Sequence, residues 1–162
     1  MTTRVAFVSL LTACLSPGCG MDPGAAPVAP SVRQGDVEYR ATTAILESFP
    51  VQLHATVTML NRSSARTTLE LGSGCPVLLR VYQDQARTAL VWDQGRAIAC
   101  TKQIQIVEIA PGDTAQRSTR TNAREILGDS LPDGRYFLSA FIQVVGSPVV
   151  VPAGEADLAV PR

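Results

Sequence analysis

From residue 36 onward the chain alternates apolar and polar positions with a period of two. The clearest run is Val51, Leu53, Ala55, Val57 and Met59, interleaved with Gln52, His54, Thr56 and Thr58. That pattern predicts a strand with one face in a core and one in water. A weaker alternation covers Val37, Tyr39, Ala41, Thr43 and Ile45. Residues 61–64, Asn-Arg-Ser-Ser, supply a turn, because short polar side chains bond their own backbone there. Residues 67–71 predict a strand closed by Gly72-Ser-Gly74, and residues 77–82 and 88–92 a hairpin around the polar stretch 83–87. Residues 103–109 predict another strand, with an apolar phase slip at Ile106-Val107 that points to a bulge.

Pro111-Gly112-Asp113 turns the chain into a polar strand over 114–121, and residues 123–127 are the one helical piece. Leu131-Pro132-Asp133-Gly134 is a tight turn, with proline presetting φ and glycine free to take the left-handed position. A long strand over 135–145 follows, and the prolines of the last two runs, 148–152 and 156–160, restrict them to sheet edges or ends. Short strands at regular intervals, each separated by a turn signal and without βαβ alternation, predict an all-β, two-sheet antiparallel sandwich of seven to nine strands. In that frame Tyr82, Trp92, Tyr136, Phe137 and Phe141 fill core and sheet surface.

The N-terminus follows another logic. Arg4 precedes an apolar run over residues 5–15, and the stretch closes on Cys14 and again on Cys19. A basic start, a short apolar run and small residues before a cut make a secretory signal. A cysteine at the cut is what lipoprotein processing requires, since its thiol receives the lipid. A membrane span needs about 20 apolar residues and this run is interrupted well before that. The division expected is a leader over 1–19, a Pro/Ala/Gly-rich tether over 20–35 and a domain over 36–162, held at the cell envelope by lipid in the bilayer. Either cysteine can be the acceptor: Cys14 has the better local box, while Cys19 leaves the longer apolar run. The proline-rich tether would extend about 3 Å per residue.

Composition bounds the rest. Of 162 residues, 46% are apolar and 17% charged, enough for one packed domain rather than a disordered chain. Fourteen acids oppose fourteen bases without a basic stripe, which argues against a nucleic-acid partner. In an oxidising compartment Cys75 and Cys100 are expected to pair, closing 25 residues and restricting the unfolded chain by roughly 3.5 kcal/mol. The alternative is two separate buried thiols. With Cys19 lipidated and Cys14 lost with the leader, no thiol is left over.

The order of turns and strands carries a family likeness. Asn61 with Ser63-Ser64, the Ser73-Gly74 pair, the Val81-Tyr82 to Val91-Trp92 hairpin, Ile109-Ala-Pro-Gly-Asp113 and Leu131-Pro-Asp-Gly-Arg-Tyr136 stand in sequence. That order resembles the BsuPI family of intracellular proteinase inhibitor domains over about residues 50–145. The resemblance implies an immunoglobulin-like sandwich and, more weakly, an inhibitory role; here the domain would sit in an exported lipoprotein.

Catalytic chemistry is not legible. His54 is the one histidine, it falls on the polar face of a strand, and no Gly-x-Ser-x-Gly elbow occurs. One histidine and widely spaced cysteines cannot fill a tetrahedral zinc site, so neither metal nor cofactor is expected. The expected role is a non-enzymatic interaction domain with an envelope or protease partner. Its candidate contact loop is Gln94-Gly-Arg96-Ala97-Ile98-Ala99, tied down at Cys100, with Arg96 suited to a trypsin-like pocket. The alternative is a structural or assembly module of an envelope complex, with an edge such as residues 149–151 open to strand addition.

Overall fold

The computed structural model describes residues 30–48 and 50–160. The leader, Cys14, Cys19 and the tether up to residue 29 lie outside the described residues. Ten strands and two short helices follow in chain order: β1 (Ser31–Gln34), β2 (Val37–Leu46), β3 (Gln52–Asn61), β4 (Thr67–Leu71), β5 (Val77–Tyr82) and β6 (Leu90–Asp93), then α1 (Gln94–Ala97), β7 (Gln105–Ile109), β8 (Thr114–Asn122), α2 (Ala123–Leu127), β9 (Gly134–Ile142) and β10 (Val149–Leu158).

The strands form two four-stranded antiparallel sheets, ordered β1-β2-β3-β8 and β10-β9-β5-β6, and a two-stranded ribbon, β4-β7. The period-two pattern becomes the sandwich core. Leu53, Ala55, Val57 and Met59 of β3 face Leu79 and Val81 of β5, Leu138 and Ala140 of β9, and Val151 of β10 within one buried cluster. This is an immunoglobulin-like arrangement: β2, β3 and β8 take the places of strands A, B and E, and β10, β9, β5 and β6 those of G, F, C and C′. A tyrosine corner fits the same scheme. Tyr136, near the start of β9, donates its hydroxyl to the Pro132 carbonyl at 2.6 Å.

Several boundaries differ from the sequence expectation, each for a local reason. Ten strands form rather than seven to nine, partly because residues 31–34, expected within the tether, pair with β2 in register from Ser31↔Arg40 to Gln34↔Val37. Gly35, at φ +58°, makes that tight reversal, and Val32 packs on the core. No bulge interrupts β7: its register with β4 is continuous, and Ile106 simply points outward, 56% exposed, between inward Gln105 and Val107. Strand β6 starts at Leu90 rather than 88 because the Asp84 carboxylate captures the amides of Thr88 (3.0 Å) and Ala89 (2.6 Å) into the preceding turn. The two C-terminal runs are one strand, β10, with a register shift between Pro152 and Glu155 where Gly154 adopts φ +97°. The run expected over 135–145 ends at Ile142, after which the chain leaves β9 to bridge β4 at Leu71↔Val144.

The strand directions give the molecule two poles. One carries the β2–β3 turn, α2 and the tyrosine corner. The other carries the β4–β7 ribbon, the turn at 110–113 and the start of β5. Buried Asn61 fastens this second pole, donating to the carbonyls of Ala65 (2.7 Å) and Ile109 (2.9 Å) and accepting from the Ser63 amide (2.9 Å).

Candidate interaction surface

The segment singled out in the sequence is not a free loop. Gln94 to Ala97 form the helical turn α1, N-capped by Asp93, whose side chain accepts from the Gly95 amide at 2.9 Å. Asp93 is itself held by Arg80 (3.1 Å), and the Arg80 guanidinium lies 4.0 Å from the centre of the Phe141 ring. Arg96, Ala97 and Ile98 are exposed. The peptide between Arg96 and Ala97 is helical, however, whereas a substrate-like inhibitory loop presents an extended backbone to its protease.

Gln94 anchors the turn, and sequence reasoning gave it no role. It is 3% exposed. Its Oε1 accepts from the Leu79 amide on β5 and from the Thr119 hydroxyl on β8, each at 2.9 Å, and its Nε2 donates to the Arg120 carbonyl at 2.8 Å. One amide side chain therefore joins the two sheets along their open side. Its partners are largely backbone groups far away in sequence, so no local motif announces it.

Cys75 and Cys100 are joined by a disulfide, with Cα atoms 5.5 Å apart, tying the chain after α1 to the start of β5. The Gly74 amide adds a bond to the Thr101 carbonyl at 2.9 Å. A Cβ at Gly74 would collide with the Thr101 side chain, so glycine is needed for this close approach. Beside the disulfide lies a shallow cavity of about 300 Å³, lined in part by Gly72, Leu78, Ile98, Lys102 and Gln143. Next to it, the Val145 amide bonds the Glu70 carbonyl (2.8 Å) and Glu70 pairs with Ile106, so exposed Glu70 stands between Val145, in the turn after β9, and Ile106 on β7. Ile98, Ile104, Ile106 and Val145 are 41%, 58%, 56% and 50% exposed, an apolar group at the pole that carries the ribbon.

A second cavity, of about 280 Å³, runs beside β6 and is lined by Leu90, Val91, Trp92, Asp93, Arg96 and Ala97. Trp92 is half-buried against the core rather than fully enclosed. The edge expected at residues 149–151 belongs to β10, which lies close to β1 and β2. His54 sits on β3 between Ala44 and Arg120. Among the described residues, no group of three or more His, Cys, Asp and Glu is placed to hold a metal ion, and no helix is long and apolar enough to cross a membrane.

Fold and surface together define an immunoglobulin-like β-sandwich with a disulfide-fastened helical turn and an apolar pole. No sequence-family model matches the chain, and no curated protein does. Solved structures with similarity include a protein described as ApaA from Bordetella pertussis, 20% identical with a TM-score of 0.38 over 84% of this chain and 99% of that one. A β-glucosidase from Kluyveromyces marxianus is 8% identical with a TM-score of 0.42, over 76% of this chain and 14% of the enzyme. A β-glucosidase from Listeria innocua is 12% identical with a TM-score of 0.35, over 76% and 17%. The chain thus spans under a fifth of either glucosidase, and no functional argument rests on these likenesses.

Proposed function

We propose that this chain is a bacterial lipoprotein whose immunoglobulin-like domain is a non-catalytic protein-interaction module at the cell envelope. The supporting observation is the relation between chain entry and surface. Strand β1 begins at Ser31, opposite Arg40, and runs toward the start of β2. Ser31 is therefore the end of β1 nearer the β2–β3 turn, whereas Ile98, Ile104, Ile106 and Val145 lie at the opposite pole. A lipid on Cys14 or Cys19 would hold the first pole toward the bilayer and display the apolar pole away from it. A concentration of exposed apolar side chains at one pole suits a protein partner. Proteinase inhibition is the narrower form of this reading, in keeping with the BsuPI-like order of turns. It would use α1 as a folded wedge, since Arg96 and Ala97 sit in a helical turn.

The test has two arms. Labelled palmitate should enter the unmutated protein, and one of Cys14→Ser and Cys19→Ser should abolish incorporation; an unmutated protein that takes up no label removes the anchor. A photo-crosslinker at Ile104 in native membranes should trap a discrete protein, and Ile106→Lys should reduce the yield. Crosslinking that returns no neighbour would remove the interaction role.

A further inference from the structure

The last three residues of β2, Ala44, Ile45 and Leu46, are all exposed, Ile45 by 42% and Leu46 by 52%. Successive side chains of a strand point to opposite faces. A strand end at which neighbours are exposed together therefore has no cover on either face. Water would favour polar residues there, yet the end reads Ile-Leu. The turn that follows fixes its course: the Ser48 amide donates to the Leu46 carbonyl at 2.8 Å and the Ser48 hydroxyl to the Pro50 carbonyl at 3.0 Å.

Polar and basic groups stand a row behind. Leu46 pairs with Gln52, and Gln52 with Asn122. Two residues back, about 7 Å along the strands, Ala44 pairs with His54, and His54 with Arg120. Arg120 is exposed, as is Arg124 on α2, which continues from β8. Apolar side chains in front and guanidinium groups behind follow the order of a bilayer surface, with acyl chains beneath phosphates.

We infer that the β2–β3 turn rests in the surface of the lipid bilayer, with Ile45 and Leu46 at the acyl boundary and Arg120 at the level of the phosphates. The inference rests on the anchoring reading above and adds a second, non-covalent membrane contact to it. β1 runs away from this turn, and its nearer end, Ser31, lies opposite Arg40, about 20 Å from Leu46 along β2. Twelve residues separate Ser31 from Cys19, and more separate it from Cys14. Twelve can span about 40 Å, so an anchor at either cysteine leaves the turn within reach of the same bilayer. Glu47 and Glu125 are exposed at this pole. The contact is therefore apolar and shallow, and it does not depend on anionic lipid.

The test places an indole at the turn, Leu46→Trp, or at the far pole, Val145→Trp, in the full chain isolated from membranes. Each variant is mixed with vesicles of phosphatidylcholine brominated on its acyl chains, and fluorescence quenching is read. Leu46 and Val145 are both exposed, so both variants should keep the parent's unfolding midpoint, and Trp92, packed against the core, gives a common background. The expected result is quenching of the indole at 46 and not of that at 145. Adding Ile45→Asp should remove most of that quenching, and adding phosphatidylglycerol should not increase it. A vesicle-bound, palmitate-labelled chain whose indole at 46 escapes quenching overturns the inference and leaves the anchor in place. Equal quenching at 46 and 145 also overturns it. Quenching at 46 in a chain that takes up no palmitate would keep the turn's contact and remove the anchor. A chain that does not bind the vesicles overturns both.

Discussion

Two side chains show how much of the architecture depends on single residues. Truncating Gln94 to alanine leaves the Leu79 amide and the Arg120 carbonyl without their partner at the seam between sheets. Each stranded buried group costs about 1–3 kcal/mol. Gln94→Ala should therefore lower unfolding stability by about 3 kcal/mol in urea titrations, and a change within error would show that water replaces the amide. Asp84 has an acid signature instead. The amides of Ala89 and Thr88 hold its carboxyl below the ordinary value of 3.8. A depressed carboxyl stabilises the fold above the unfolded value, and that contribution is lost as pH falls through and below it. Asp84→Asn should flatten the pH dependence of stability in that window, as read from urea midpoints from neutral to acid pH. An unchanged slope would assign the acid sensitivity elsewhere. Glu38 behaves alike in sign, held low by hydrogen bonds to Arg62 and Arg40.

At the scale of elements, strands with one wet and one dry face were legible because period two is a direct consequence of the pleat. β3 and β8 sit almost where the pattern puts them. Composition misled at β1: prolines and alanines upstream hide a short hairpin arm whose pairing depends on Gly35 and on the presence of β2. The slip at Ile106-Val107 came from an isoleucine facing solvent, a position that burial patterns misassign by construction. At the candidate surface, the cysteine pair followed from parity and compartment. The tyrosine corner is present in the spacing of Pro132 and Tyr136, which by pattern alone signals no more than a turn. The helical state of α1 was not legible, because it depends on Asp93 as a cap and on Gln94 finding acceptors and donors on two other strands. Cys75→Ser with Cys100→Ser should lower stability by about 3.5 kcal/mol. The loss should be accompanied by faster amide exchange around Ile98 and Thr101 and little change in β3. Uniformly faster exchange would mean that the bridge supports the whole core rather than this corner.

For the whole molecule, the fold takes in residues 31–34, ahead of the boundary at residue 36 that the sequence suggests. A chain beginning at 36 lacks four cross-strand pairs, the packing of Val32 and the Gln34 contact to Ser147. It should unfold about 2 kcal/mol more easily than one beginning at 30. Equal stability of the two would show that β1 adds nothing to the fold. The placement of that arm also decides how the domain would bear tension. A pull on the chain upstream of Ser31, resisted at the far pole, drags β1 along its own axis past β2. The ladder is then loaded in shear, with its hydrogen bonds sharing the force at once instead of parting one by one like a zip. A first strand of only four residues can thereby serve as a mechanical clasp between the chain that precedes it and the sandwich.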